Sequence, residues 1–228
     1  MPSKDAPIKL AIESVLSGKR RGRKKVIAML RKKHSYSKSR IRRVYEQYGF
    51  ALYYKPKKRL PEKVKNPISR SLAPNQEWAM DFMSDSLANG RAIRSLNIID
   101  HFNLECKGIR IYHSIPAIRL IEILEEVIET HGKPLSIRTD NGPEFTSKRF
   151  QLWLKNNEIK WNEIQKGKPQ QNAIIERFNR TMREELFDAH LLFSIEHANN
   201  LAAEIIHDYN YVRPHESLKD ETPKSYAA

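Results

Sequence analysis

Asp140 and Glu176 have thirty-five residues between them, and each sits in a polar segment with a distinctive order of residues. The first is Arg138-Thr139-Asp140-Asn141-Gly142-Pro143-Glu144-Phe145, and the second is Gln171-Asn172-Ala173-Ile174-Ile175-Glu176-Arg177-Phe178-Asn179-Arg180. A third acid, Asp81, lies upstream inside Trp78-Ala79-Met80-Asp81-Phe82. Carboxylates are the ligands a hard divalent ion such as Mg²⁺ prefers, and two-metal phosphoryl transfer needs charge at both the attacking and the leaving oxygen. Three acids that converge repel one another and take up protons unless a cation relieves them. In a strongly basic chain this combination points to a metal-dependent site that cuts or joins nucleic acid. Taken singly, each acid also reads as a turn or cap residue. Asp85, Asp100, Glu105 and Glu144 compete with the three, and Asp100, at the end of a predicted strand, reads as structural.

The elements that must position these acids follow from local patterning. Residues 77–85 alternate as a strand, Asn89-Gly90 marks a hairpin turn, and strands near 93–100 and 105–112 complete a meander. Ser114 and Pro116 open a helix whose Ala117, Ile121, Leu124 and Ile128 are expected to line one face until Gly132 ends it. A strand at 135–139, a helix at about 144–156 and a strand at 159–163 come next, then helices at roughly 170–189 and 194–210. Strands first, then alternating helices and strands, predict an α/β sandwich on a mixed five-stranded sheet. Asp140 then falls at the carboxyl end of a strand, where α/β sheets hold their ligands. Asp81 lies within the first strand. Asn172, Glu176, Asn179 and Arg183 form a polar stripe on a helix whose Ile175, Phe178, Met182 and Leu186 are apolar.

The formal net charge of +14 is unevenly placed. Residues 1–70 hold 22 Lys+Arg against 4 Asp+Glu, and the remainder holds 19 against 23. A basic head on a mildly acidic body reads as a nucleic-acid grip joined to a separate working domain. Within the head, Ile8, Ala11, Ile12 and Val15 recur at helical spacing until Gly18, and a second helical stretch spans about 23–33. A third starts after Ser37 as N-cap and stops at Gly49, with Ile41, Val44, Tyr45 and Tyr48 as its apolar stripe. The turn His34-Ser35-Tyr36 makes this a helix-turn-helix-like domain at 1–54, with Lys38, Arg40, Arg42 and Arg43 on the recognition helix as DNA contacts. A basic, proline-containing linker at 55–74 leads to the working domain at 75–228. Cys106 is the sole cysteine, which excludes an internal disulfide and a multi-cysteine zinc site and fits a reducing cytoplasm. No apolar run approaches the roughly 20 residues of a membrane span, and the polar start lacks a signal-peptide core.

The segments Trp-x-x-Asp-Phe at 78–82, Thr-Asp-Asn-Gly-x-Glu-Phe at 139–145 and Asn-Ala-x-x-Glu-x-x-Asn at 172–179 resemble the retroviral-integrase-like core of bacterial insertion-sequence transposases, of the OrfB type. The likeness continues through Gly167-Lys168-Pro169 and Tyr209-Asn210-Tyr211-Val212-Arg213-Pro214-His215 to Thr222-Pro223. It implies an RNase H-like core and a DDE site built from Asp81, Asp140 and Glu176. That site would hold Mg²⁺ or Mn²⁺, two ions per active site, and perform DNA strand cleavage followed by strand transfer. The resemblance also implies that Asn141 and Asn172 support the site, that Lys166, Lys168, Arg177 and Arg180 hold phosphates, and that Arg213 and His215 belong to a terminal family motif. Expected partners are double-stranded DNA at element ends and target, an OrfA-type partner or fusion segment, and further copies of the chain on DNA. There is no membrane partner, and the expected location is the bacterial cytoplasm, on the nucleoid. The alternatives are a catalytically idle DNA-binding regulator derived from a transposase and an RNase H-type nuclease. One departure from the family pattern is Asn103-Leu104, which stands where a Ser-Arg or Asn-Arg pair is customary after Asp100.

Overall fold

The computed structural model describes residues 5–17, 21–52, 71–164 and 172–227. Most of the expected linker, together with Gly18, Lys166 and Lys168, lies outside the described residues. The chain divides into two compact units, Met1–Asn66 with Arg213–Glu221 and Pro67–Val212 with Thr222–Ala228. The segment Arg213–Glu221 is thus grouped with the helices, whereas the expected 75–228 domain would keep it with the sheet.

The first unit is built on three short helices, α1 (Ala6–Leu16), α2 (Arg23–Lys33) and α3 (Lys38–Gln47). Ile8, Ile12, Val26, Leu30, Ile41 and Val44 close a small core from all three. The Ser37 hydroxyl caps α3 by accepting from the Arg40 N–H, and Gly49 supplies the positive φ after it. Tyr48, expected in the apolar stripe, is the C-cap residue of α3, 37% exposed and outside the core, with Lys9 standing over its ring.

In the second unit the β-alternation of 77–86 has a purpose on both faces. Strand β1 (Glu77–Ser86) sends Trp78, Met80 and Phe82 one way and Glu77, Ala79 and Asp81 the other. It lies at the centre of a sheet ordered β3-β2-β1-β4-β5. Strands β2 (Ala92–Asp100) and β3 (Cys106–Tyr112) join antiparallel, and β4 (Ser136–Thr139) and β5 (Lys160–Glu163) join parallel. The hairpin between β1 and β2 turns at Gly90, whose φ is +81°. Trp78, Met80, Leu96 and Ile98 pack under α4 (Ala117–His131) and α6 (Lys148–Asn156), whose Leu120, Leu124, Phe150 and Leu154 complete that core.

Helix α4 buries Leu120, Ile123, Leu124 and Val127. The expected face of Ala117, Ile121, Leu124 and Ile128 is turned by about one residue, because the apolar arc of α4, opposite Arg119, Glu122, Glu126 and Glu129, is wider than the face the sheet covers and leaves Ile121 and Ile128 at its partly buried margin. The expected 144–156 helix is broken at Ser147, whose hydroxyl accepts from the Phe150 N–H and starts α6 afresh after the short α5 (Pro143–Thr146). The last two expected helices are shorter than read. α7 (Ala173–Met182) passes into a π-helical turn at Arg183–Phe187, and α8 (Ile195–His207) into another at Asp208–Val212. A short α9 (Pro223–Tyr226) follows.

The free edge of β3 would expose unpaired backbone groups. Asn199 of α8 takes both backbone groups of Ile111, at 3.0 and 2.9 Å, and Asn210 takes both of Cys106, each at 2.9 Å. The two asparagines therefore bind α8 and the turn after it to the sheet like an extra strand.

Candidate active site

Asp81 sits at mid-strand in β1 directly opposite Asn97 of β2, so both side chains leave the same face. That face is covered by α7, whose Phe178 and Met182 are buried and whose Asn179 reaches down to the strand. The Asp81 carboxylate accepts the Phe82 backbone N–H at Oδ1 and the Asn179 amide at Oδ2, both at 2.8 Å. Burial pushes its carboxyl up to about 6, and the negative charges of Asp140 and Glu176 push the same way against those two hydrogen bonds. Asp140 and Glu176 therefore both lie within electrostatic reach of Asp81.

Asp140 follows β4 immediately. Its Oδ1 accepts the Gly142 N–H at 3.0 Å, a tight turn that leads into Pro143 and α5. The end of β4 is held by Thr139, which donates to the Asp140 carbonyl at 2.8 Å and accepts from the Trp161 indole at 2.9 Å. One residue earlier, Arg138 forms a paired contact with buried Glu77, its Nε at 3.0 Å, and Asn162 of β5 donates to the same carboxylate at 2.5 Å. This polar clamp ties β1, β4 and β5 together under the Asp140 turn.

Glu176 lies in the first turn of α7, exposed, with Arg177 and Arg180 exposed beside it. Two members of the polar stripe reach the first strand: Asn179 meets Asp81, and Arg183 pairs with Asp85 and donates to the Ser84 carbonyl at 2.8 Å.

Partners separate the three acids from their competitors. Asp85 pairs with Arg183, Glu144 with Arg94, Asp100 with Lys107 and Glu105 with both Lys107 and Lys224. Asp100 also accepts the Asn75 and Phe102 N–H groups at 2.8 and 2.9 Å, a structural role. Asn103, at the departure from the family pattern, is buried and donates to the Pro223 carbonyl at 3.2 Å, which docks α9. Among the described residues, Asp81, Asp140 and Glu176 have no basic partner. Nor does any group of three or more His, Cys, Asp or Glu side chains there stand close enough to hold a metal ion as it is. Carboxylates left unneutralised repel and do not close on one another.

The other expected residues fall in several places. Asn141 is exposed beside Asp140. Asn172 is buried at the N-cap position of α7, and its Oδ1 has no hydrogen-bond partner. In the first unit Arg40 and Arg43 share Asp5, at 3.2 and 2.7 Å, Arg42 pairs with Glu46 at 3.2 Å, and Lys38 is exposed at the start of α3. Arg213 is buried, and His215 acts through its backbone, giving its N–H to the Glu221 carbonyl and accepting from the N–H groups of Leu218 and Asp220. A residue the sequence reading passed over is Asn97, fully buried in a strand of apolar neighbours. An asparagine between Leu96 and Ile98 in the middle of a strand is itself a signal, since strands are poor in it.

Two matches described as integrase core domain cover residues 71–169 and 157–223. A 31.7 kDa protein of insertion element IS407 from Burkholderia multivorans is 33% identical over 218 residues, spanning 95% of this chain and 79% of that one. The chain belongs to the integrase-core family. A second relative, the transposase for insertion sequence element IS904 of Lactococcus lactis subsp. lactis, is 29% identical over 165 residues, 71% of this chain and 64% of that one. The integrase-core fold extends to the HTLV-2 integrase catalytic core domain in complex with magnesium, in its dimeric form. That structure superposes with a TM-score of 0.57 at 21% identity, covering 70% of this chain and all of the other. The mixed five-stranded sheet with helices on both faces is thus the RNase H-like core the motifs implied. Among the described residues no helix is long and apolar enough to cross a membrane.

Proposed function

We propose that this integrase-core protein is a transposase that cleaves DNA at the ends of an insertion sequence and joins them to a target, with Asp81, Asp140 and Glu176 as its catalytic, metal-holding carboxylates. The observation that carries the reading is that Asp140 and Glu176 lie within electrostatic reach of Asp81, and that these three acids, alone among the carboxylates weighed, have no basic partner among the described residues. An all-oxygen, anionic donor set fits a hard divalent ion, and the HTLV-2 core of like fold is a magnesium complex. Magnesium or manganese held there, as a pair of ions, supplies Lewis-acid polarisation of the scissile phosphate and an activated nucleophile.

The residues divide the work. Asp81, fixed by Phe82 and Asn179, gives the site its rigid wall, while Asp140 and Glu176 bring carboxylates from a turn and a helix. In the first step a water oxygen attacks phosphorus and the bond to the 3′ oxygen breaks. In the second the released 3′-hydroxyl attacks a target phosphodiester and frees a target 3′-hydroxyl. Arg177 and Arg180, exposed on α7 next to Glu176, hold DNA phosphates in this reading, and the family likeness gives Lys166 and Lys168 the same part. Lys38, Arg40, Arg42 and Arg43 of the basic head take the element-end duplex. Asn141 and Asn172 support the carboxylates. Action on two DNA ends at once calls for more than one copy of the chain, with an OrfA-type partner for end recognition, on the nucleoid of a bacterial cytoplasm.

The test is incubation of an element-end duplex with Mg²⁺, Mn²⁺ or EDTA. Nicked and joined products that require the divalent ion are expected. End binding with no metal-dependent cut would give the idle-regulator reading instead, and preferential cutting of an RNA–DNA hybrid would give the nuclease reading.

A further inference from the structure

Asn97 never reaches the surface, yet it is connected to the carboxylate wall in two steps. Its Nδ2 donates to Asn179 Oδ1 at 2.7 Å, and Asn179 Nδ2 donates to Asp81 Oδ2 at 2.8 Å. The direction of this chain is set by chemistry. An ionised carboxylate only accepts, so Asn179 must turn its amide nitrogen toward Asp81. The Asn179 oxygen then faces Asn97, which must answer with its own nitrogen. The remaining atom, Asn97 Oδ1, is buried without a hydrogen-bond partner. A buried acceptor left unpaired is costly. A hydrophobic residue opposite Asp81 would avoid that cost, so what the asparagine contributes has to be its donor.

We propose that Asn97 and Asn179 form a two-amide positioning chain, anchored in strand β2, that holds the Asp81 carboxylate in the orientation needed to take up a divalent ion. Asn97 is a positioning residue acting through Asn179, and it touches neither ion nor DNA. Its partner enters from α7, one turn beyond Glu176, so the same chain also fixes the helix carrying that acid against the strand carrying Asp81. Partners behind a ligand fix its orientation, and their loss typically weakens metal binding by about 10- to 100-fold.

The proposal rests on Asp81 being a metal ligand, and Mn²⁺ binding without DNA, read from the EPR signal of free Mn²⁺, separates the two claims. If the wild type binds Mn²⁺ and Asp81→Asn does not, the ligand assignment stands whatever Asn97 does. Asn97→Ala is then expected to weaken Mn²⁺ binding by roughly tenfold. Asn210→Ala, which strips an equally buried amide from the backbone of Cys106, is expected to lower the unfolding midpoint while leaving Mn²⁺ binding unchanged. Asn179→Ala, at a half-buried position, should reproduce the Asn97→Ala loss, and the double variant should be no worse than Asn179→Ala alone. Wild-type Mn²⁺ affinity in folded Asn97→Ala overturns the proposal. So does a tenfold loss on adding Asn97→Ala to the Asn179→Ala background, because Asn97 would then not act through Asn179. Should Asn97→Ala fail to fold, wild-type Mn²⁺ affinity in Asn179→Ala overturns it equally.

Discussion

The backbone of Gly142 lies against the carboxylate of Asp140: its N–H donates to Oδ1 at 3.0 Å, and a β-carbon added at position 142 would stand 3.2 Å from that same oxygen. Glycine is therefore needed here for close approach, not for an unusual φ. Gly142→Ala is expected to push Asp140 aside by a few tenths of an ångström, in an exposed turn that bears little of the fold. Strand-transfer rate should fall by about tenfold or more, given how steeply rates depend on placement, while the thermal midpoint stays within about 2 °C of wild type. A single-turnover joining assay beside a melting curve checks both.

Asp81 is an acid whose folded-state value is raised, from 3.8 to about 6. Between those values the folded chain holds a proton that the unfolded chain has lost, so stability falls as pH rises through the window and stays reduced above it. The displacement corresponds to about 3 kcal/mol. Asp81→Asn removes this dependence, although one hydrogen bond from Asn179 is disturbed at every pH. Urea unfolding in chelator should show Asp81→Asn gaining on the wild type as pH is taken from about 3.5 to 7. A difference independent of pH would mean that the carboxylate is not strained by its surroundings.

Cys106 is fully buried in β3, and burial pushes its thiol well above the ordinary range, so it is un-ionised and inert in the folded chain. Ellman's reagent is expected to react with no thiol in the native protein and with one in denaturant. Rapid native reaction would show that β3 opens under the asparagines of α8 and the turn after it.

Asp140 at a strand end, Glu176 on an amphipathic helix and Asp81 on a strand could all be placed from alternation and helical spacing, and so could the five strands. Those patterns are local, and burial of one face enforces them. Three things were not legible. The buried face of α4 is chosen by the sheet it packs on, the break at Ser147 is a local cap that competes with continuing the helix, and the π-helical turn after α7 begins at Arg183, which pairs with Asp85 of a distant strand. The acids themselves carried too little information to be ranked. Asp100, the strongest competitor and read as structural, takes that role through Lys107 and the Asn75 and Phe102 N–H groups, none of which could be seen in the spacing. Asn97 was hidden by its strand, because its significance lies in a partner 82 residues away.

The central claim is that Asp140 and Glu176 act with Asp81 as one metal-dependent strand-transfer site. It is tested most directly by measuring joined product from an element-end duplex in Mn²⁺ for wild type, Asp140→Asn and Glu176→Gln, with folding verified by circular dichroism. Both acids are exposed, so both variants should fold as the wild type does. Each is expected to lose joining by a factor on the order of 10³ or more. Joining near the wild-type rate in either folded variant would contradict the assignment.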